Sequence, residues 1–186
     1  MEFLDVIKSR RSVRSYRDEQ IKPEELELII EAGRNAPSYQ NRQCWRFLVI
    51  DDKELIEKVA FNSGLVGTVN LFIKTAPTLI IACADPSKSG GINKQDYYLV
   101  DTAIAFQQMM LTAWSLGIGS CWMAAFDEKK LKKLLQIPEK IRVVAMSPFG
   151  YPKEQESVYG KIVKAFAGSK RRKKREEIVC FNEWGL

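Results

Sequence analysis

Arg10-Arg11-Ser12-Val13-Arg14 places three guanidinium groups and a hydroxyl within five residues. Such a set can wrap a phosphate, because each arginine presents a fixed fork of donors and the serine adds one more. A solvated basic turn would have the same composition. A second candidate is Asn35-Ala36-Pro37-Ser38-Tyr39-Gln40-Asn41-Arg42-Gln43, which is dense in amides and hydroxyls and runs into the apolar stretch Trp45-Arg46-Phe47-Leu48-Val49-Ile50. Loops at strand ends commonly hold small ligands. A third is the run Lys170-Arg171-Arg172-Lys173-Lys174-Arg175. Those six charges account for the whole excess of the chain: 29 − 6 = 23 basic residues remain against 23 acidic ones, for a net charge of +6. The excess is local, which argues against a broadly basic surface coating nucleic acid.

The absence of histidine is equally informative. It removes Ser-His-Asp and Cys-His nucleophile activation, His-ligated metal sites, and the commonest general base near neutral pH. If the chain is an enzyme, its difficult chemistry is expected to belong to a bound organic cofactor. Cys44, Cys83, Cys121 and Cys180 are far apart, with no CxxC pair. They read as buried thiols, not as disulfides or a zinc site. With no signal peptide after Met-Glu-Phe-Leu-Asp, a reduced, cytoplasmic setting is expected. Gly117-Ile118-Gly119-Ser120-Cys121-Trp122 invites a dinucleotide-fold reading. It lacks the third glycine and follows a helix, not a strand, so that reading fails.

These residues need a scaffold, and the length of 186 residues is most simply one domain. Its organising element is residues 96–116, predicted as a helix capped by Asp96 and closed by Gly117. Leu99, Val100, Ala103, Ile104, Phe106, Met109, Met110, Ala113 and Trp114 leave it no clean polar side. Asp101, Gln107 and Gln108 count against a membrane span. A core helix that also packs on a second subunit is expected, since so short a chain has little with which to cover every face. Around it, Phe3 to Lys8 predicts a short amphipathic helix. Lys22-Pro23-Glu24-Glu25 opens a helix with apolar Leu26, Ile29 and Ile30, ended by Gly33 and Pro37. Helices are also predicted at 53–61 and from Asp127 to Leu135, with Pro138 breaking the second. Residues 63–74 are ambiguous between helix and irregular chain. Strands are predicted at 45–50, 78–84 and 141–147, the last closed by Pro148-Phe149-Gly150-Tyr151-Pro152. Residues 85–91 read as a loop, 153–169 as a possible lid, and 176–184 as a β-like arm pairing with something distant or with another chain.

The motifs then converge. Arg10 to Arg14, Ala36-Pro37-Ser38 with Asn41 and Gln43-Cys44-Trp45, Gly117 to Trp122, Pro148 to Pro152, and Lys170-Arg171-Arg172 ahead of Glu176-Glu177-Ile178-Val179 occur in one order along the whole chain. Together they resemble the flavin-dependent nitroreductase family. The resemblance implies an α+β fold, a mostly antiparallel central sheet flanked by helices, with the C-terminal segment extending onto a partner subunit. It implies a homodimer with FMN at the subunit interface. Arg10, Arg11, Ser12 and Arg14 would supply phosphate and ribityl contacts, joined by Lys170 and Arg172. Pro37, Ser38, Tyr39 and Asn41 would reach the flavin from the other subunit. Met123 and the backbone of Ala124 and Ala125 would lie along the ring edge, with Asn70, and Lys74 near it, added to the set. No side chain is assigned a catalytic role. Arg14 is the candidate for offsetting the negative charge that reduction places on the pyrimidine side of the ring. Many relatives carry a carboxylate where Ala124 stands and a proline where Lys174 stands. The chain is also short for the family, so the region that shapes the substrate side is reduced.

The implied activity is NAD(P)H-dependent reduction of nitroaromatics, quinones or related acceptors by a ping-pong mechanism. A flavin-binding or flavin-processing protein of the same fold is the alternative, because fold does not fix function. A nucleic-acid binder working through residues 170–175 is the remote one.

Overall fold

A computed structural model describes residues 1–64, 70–154 and 172–184. Lys170 and most of the possible lid, residues 155–169, lie outside the described residues. Chain order is α1 (Phe3–Ser9), α2 (Pro23–Arg34), β1 (Trp45–Ile50), α3 (Lys53–Asn62), β2 (Thr78–Ala84), β3 (Gly91–Ile92), β4 (Gln95–Asp96), α4 (Tyr97–Ser115), β5 (Gly119–Ser120), α5 (Glu128–Leu135) and β6 (Arg142–Gly150).

Four strands form an antiparallel sheet in the order β1-β2-β6-β5. This is the α+β architecture expected. β2 is buried at every position, because its alternate residues serve two different cores. Ile80 and Ala82 face a layer built from α2 and α4, with Ile29, Phe106, Met109 and Met110. Leu79, Ile81 and Cys83 face the opposite layer with α3 and α5, through Ile56, Val59 and Leu131. The burial of Cys83 pushes its thiol up to about 12, consistent with an inert core thiol.

Several sequence expectations are corrected. Gly33 does not end α2. It lies inside the helix, where a Cβ would come within 2.7 Å of Met109 Sδ, so its role is to let α2 approach α4 closely. Asp96 stands at the N-cap of α4 but makes no side-chain capping bond. Asp52 and Asp127 do cap, accepting the N–H groups of Leu55 and Lys130. Left-handed Gln136 closes α5, ahead of Pro138. The segment 148–150 continues β6, because Phe149 and Gly150 pair with the unpredicted β5. Residues 91–96 form the small β3–β4 hairpin, where a plain loop was expected for part of the segment. Leu71–Thr75 is a 3-10 helix. Residues 176–184 contain no strand among the described residues: Arg175–Glu177 is a 3-10 turn, and Ile178, Phe181 and Trp184 stand exposed.

Glu128 ties α5 to β6. Burial raises its pKa, but hydrogen bonds from Arg142 and from the Val143 N–H outweigh that and hold it below the ordinary carboxylate value. A depressed folded-state pKa contributes stability above the unfolded value and loses it as pH falls through the folded one. Glu128→Gln should therefore lower stability by about 1–2 kcal/mol at neutral pH. In urea titrations repeated across pH, the gap to the parent should close below about pH 4.

Candidate functional site

The arginine-rich segment forms a strap anchored at both ends. Its start is fixed to α4: Trp114 Nε1 donates to Ser9 Oγ at 2.9 Å, and Arg11 lies over the Trp114 ring at 5.9 Å. Its middle runs beside β5, where the Val13 N–H donates to Ser120 O at 2.9 Å. Close approach is possible because residue 119 is glycine; a Cβ there would meet Val13 at 2.5 Å. Tyr16 and Arg17 then pair with Tyr151 and Pro152. The apolar residues of the strap, Val13 and Tyr16, point into the α3/α5 layer, leaving Arg10, Ser12 and Arg14 half-buried.

Those three converge on Cys121. Burial pushes this thiol up, while Arg14, Ser12 and Arg10 beside it pull the other way. The same Arg14 lies close enough to buried Tyr16 to oppose the rise in its phenol pKa, which burial and Cys121 drive. Two half-buried guanidinium groups and a hydroxyl thus lie around the buried Cys121 thiol, next to β5.

From Cys121 the chain leads directly to the second part. Met123 is buried and pairs with Met146 of β6 through both backbone bonds. Asn70, itself buried, donates from Nδ2 to Ala125 O at 2.9 Å. Phe126 pairs with Gly64, and the Asp127 N–H donates to Ser63 O. The segment is clamped on both flanks, yet Ala124 and Ala125 are exposed. Among the described residues their N–H groups meet no acceptor. Backbone donors held in place without an internal acceptor are suited to a ligand acceptor.

The polar loop lies elsewhere. Ala36 packs with Trp45 and Ala105, on the α2/α4 side of the sheet. Tyr39–Asn41 is a 3-10 turn whose Tyr39 N–H donates to Asp101 Oδ1 at 2.9 Å. The Gln43 N–H donates to Ser38 Oγ, and Gln43 Nε2 to Asn41 Oδ1. The Tyr39 ring packs on the Tyr97 ring at 4.8 Å, tilted by 37°. Pro37 and Asn41 are exposed, and Ser38 and Tyr39 half-buried. Arg172 is exposed beside Lys173, Lys174 and Glu177, which line a cavity of about 670 Å³ with it.

The structure therefore brings Arg10, Ser12, Arg14, Met123, Ala124, Ala125 and Asn70 into one group, with Arg11 on its edge. Pro37, Ser38, Tyr39 and Asn41 form a second. The first is tied to Trp114 and the second to Asp101, so at 1.5 Å per residue their anchors lie about 20 Å apart along α4. They also belong to opposite layers of the sheet. Sequence reasoning missed Asp101 as a member of the second group. The signal was a carboxyl in an otherwise apolar helix, which demands a partner when buried.

A model of the nitroreductase family matches residues 7–62 and 67–151. The chain belongs to the nitroreductase family. It is 37% identical over 164 residues to an Archaeoglobus fulgidus protein provisionally named NADH dehydrogenase/NAD(P)H nitroreductase, covering 85% of this chain and 90% of that one. A nitroreductase family protein of Clostridium novyi NT superimposes with a TM-score of 0.79 at 37% identity, covering 83% of this chain and 87% of the other. An FMN-dependent nitroreductase of Clostridium difficile R20291 gives a TM-score of 0.78 at 28% identity, with 97% and 99% covered. No helix among the described residues is long and apolar enough to cross a membrane.

Proposed function

We propose that this protein is an FMN-dependent oxidoreductase that takes electrons from NAD(P)H and passes them to a nitroaromatic, quinone or related acceptor in a ping-pong cycle. The observation that carries the reading is the clamped 123–126 segment, which presents two open N–H groups next to a converged pair of arginines. The chemistry of that donor set fits FMN. Arg10, Ser12 and Arg14 suit its phosphate and ribityl oxygens. The Ala124 and Ala125 N–H groups suit the acceptor atoms at a ring edge, without any side-chain acid. Bound FMN would supply the redox chemistry, accepting two electrons and returning them to the acceptor. The chain's own residues bind it, orient it and, through Arg14, favour negative charge on it. Lys170 and Arg172 are proposed as further phosphate contacts.

The working unit is a homodimer. Leu99, Val100 and Ile104 are 45%, 46% and 39% exposed on α4, and Phe3, Leu4 and Ile7 of α1 are exposed as well. Apolar faces of this extent mark interaction surfaces. Pairing two chains would also let the Pro37–Asn41 loop of one approach the strap of the other, which the geometry of a single chain does not favour. The exposed Ile178, Phe181 and Trp184 would form the arm that lies on the partner.

The absorbance spectrum of the protein as purified, or after adding FMN and gel filtration, tests this. Bound flavin absorbing near 450 nm, bleached by NADH or NADPH under nitrogen and restored by a nitroaromatic, is expected. A colourless protein that takes up no FMN ends the proposal, and a flavin left oxidised by both nicotinamides points to a flavin carrier instead.

A further inference from the structure

We infer that Asp101 is a positioning residue: the interface helix uses its carboxyl group to hold the Tyr39–Asn41 turn in the shape that grips the flavin of the neighbouring subunit. The inference rests on the proposed FMN site and adds a residue to it.

Three observations lead there. First, Asp101 is 2% exposed, on a helix that is mostly apolar around it, and no ion pair to it is present among the described residues. A buried carboxyl is costly unless its oxygens are used. Its two oxygens take the Tyr39 N–H at 2.9 Å and the Cys44 thiol at 3.8 Å, one contact at each side of the loop. Second, the loop between those contacts is strained. Gln40, Asn41 and Gln43 all have positive φ, at 50°, 54° and 48°. Asn41 tolerates that conformation, but Gln40 and Gln43 have no local preference for it, and such strain gathers at binding sites. Third, Asp101 lies on the buried side of α4, one residue from the exposed Val100 and three from the exposed Ile104. The Asp101 carboxyl is therefore the polar tie between the loop and the helix proposed to meet the partner, beside the Tyr39–Tyr97 ring contact.

Without the Asp101 carboxyl, the Tyr39 N–H loses its partner and the left-handed residues relax. Ser38 and Asn41 then leave the positions from which they could reach across. The fold persists, because the Ala36, Trp45 and Ala105 packing behind the loop does not involve Asp101. The dimer persists, because the exposed Leu99, Val100 and Ile104 proposed for the interface are untouched.

The test compares Asp101→Ala and Asp101→Asn with the parent full-length protein, using FMN fluorescence titration, visible circular dichroism of the bound flavin, and sedimentation velocity. Asp101→Ala should remain dimeric, weaken FMN binding by about tenfold or more, and change the flavin dichroism. Asp101→Asn keeps an oxygen for the Tyr39 N–H and should recover binding to within about threefold of the parent. Should Asp101→Ala fail to fold, Asp101→Ser, whose hydroxyl is too short to reach Tyr39, is expected to show the same loss. A parent-like affinity in the Ala or Ser variant overturns the inference, as does Asp101→Asn binding no better than Asp101→Ala. So does weakening that coincides with dissociation into monomers. A parent protein that binds no FMN is a different result, and it rejects the FMN site itself.

Discussion

Replacing Arg10 and Arg14 together by alanine is expected to strip the protein of its flavin while leaving its fold intact. Each side chain would give at least one charge-assisted hydrogen bond to the ligand, worth roughly 1.5–3 kcal/mol, so the pair is worth about 3–6 kcal/mol. At 1.4 kcal/mol per decade, FMN affinity should fall by about two to four orders of magnitude. Stability should change little, because the strap is held by Val13, Tyr16 and backbone pairing, and neither arginine enters those contacts. The Cys121 thiol should also titrate higher in the double variant. Burial already raises it, and the two guanidinium groups that oppose the rise are gone. Retention of flavin after gel filtration would show that the phosphate lies elsewhere.

The second large effect is expected at Ile104. A charge there, as in Ile104→Asp, lies mid-face on the exposed stripe that Val100 begins. Placed in an apolar interface without a partner, it would cost several kcal/mol per subunit and count twice across a two-fold axis. The variant should sediment as a monomer at micromolar concentration and bind no FMN. Its far-UV circular dichroism should be unchanged, because Phe106, Met109 and Met110 on the core side are untouched. A monomer that still held flavin would mean one chain completes the site.

Much of this could be read from residue order. The strands 45–50 and 78–84 emerge with the ends expected, because each is a mostly apolar run bounded by polar or turn residues. The central helix and left-handed Gly117, with φ of 81°, are equally legible. What the sequence hides is set by distant partners. β5 is two residues long and exists only because Phe149 and Gly150 run past it. Gly33 looked like a helix terminator, and only the position of Met109 shows it to be a contact point. The candidate site was visible as residue types, since clustered arginines and a polar loop carry their chemistry openly. Its partition into two groups on opposite layers was not. That depends on which face of the sheet each segment packs against, and local spacing is silent about it. Asp101 was legible only as an oddity in an apolar helix until Tyr39 was found on it.

The central claim is that each flavin site is assembled from two chains, and subunit mixing tests it most directly. One variant carries Arg10→Ala and Arg14→Ala; the other carries Ser38→Ala and Asn41→Ala. Each alone is expected to bind little FMN. After co-refolding at equal amounts, half of the dimers should be mixed, and each mixed dimer has one of its two sites free of substitutions, so FMN should return to about a quarter of all sites. Flavin content no higher than the average of the two separate variants would contradict the account.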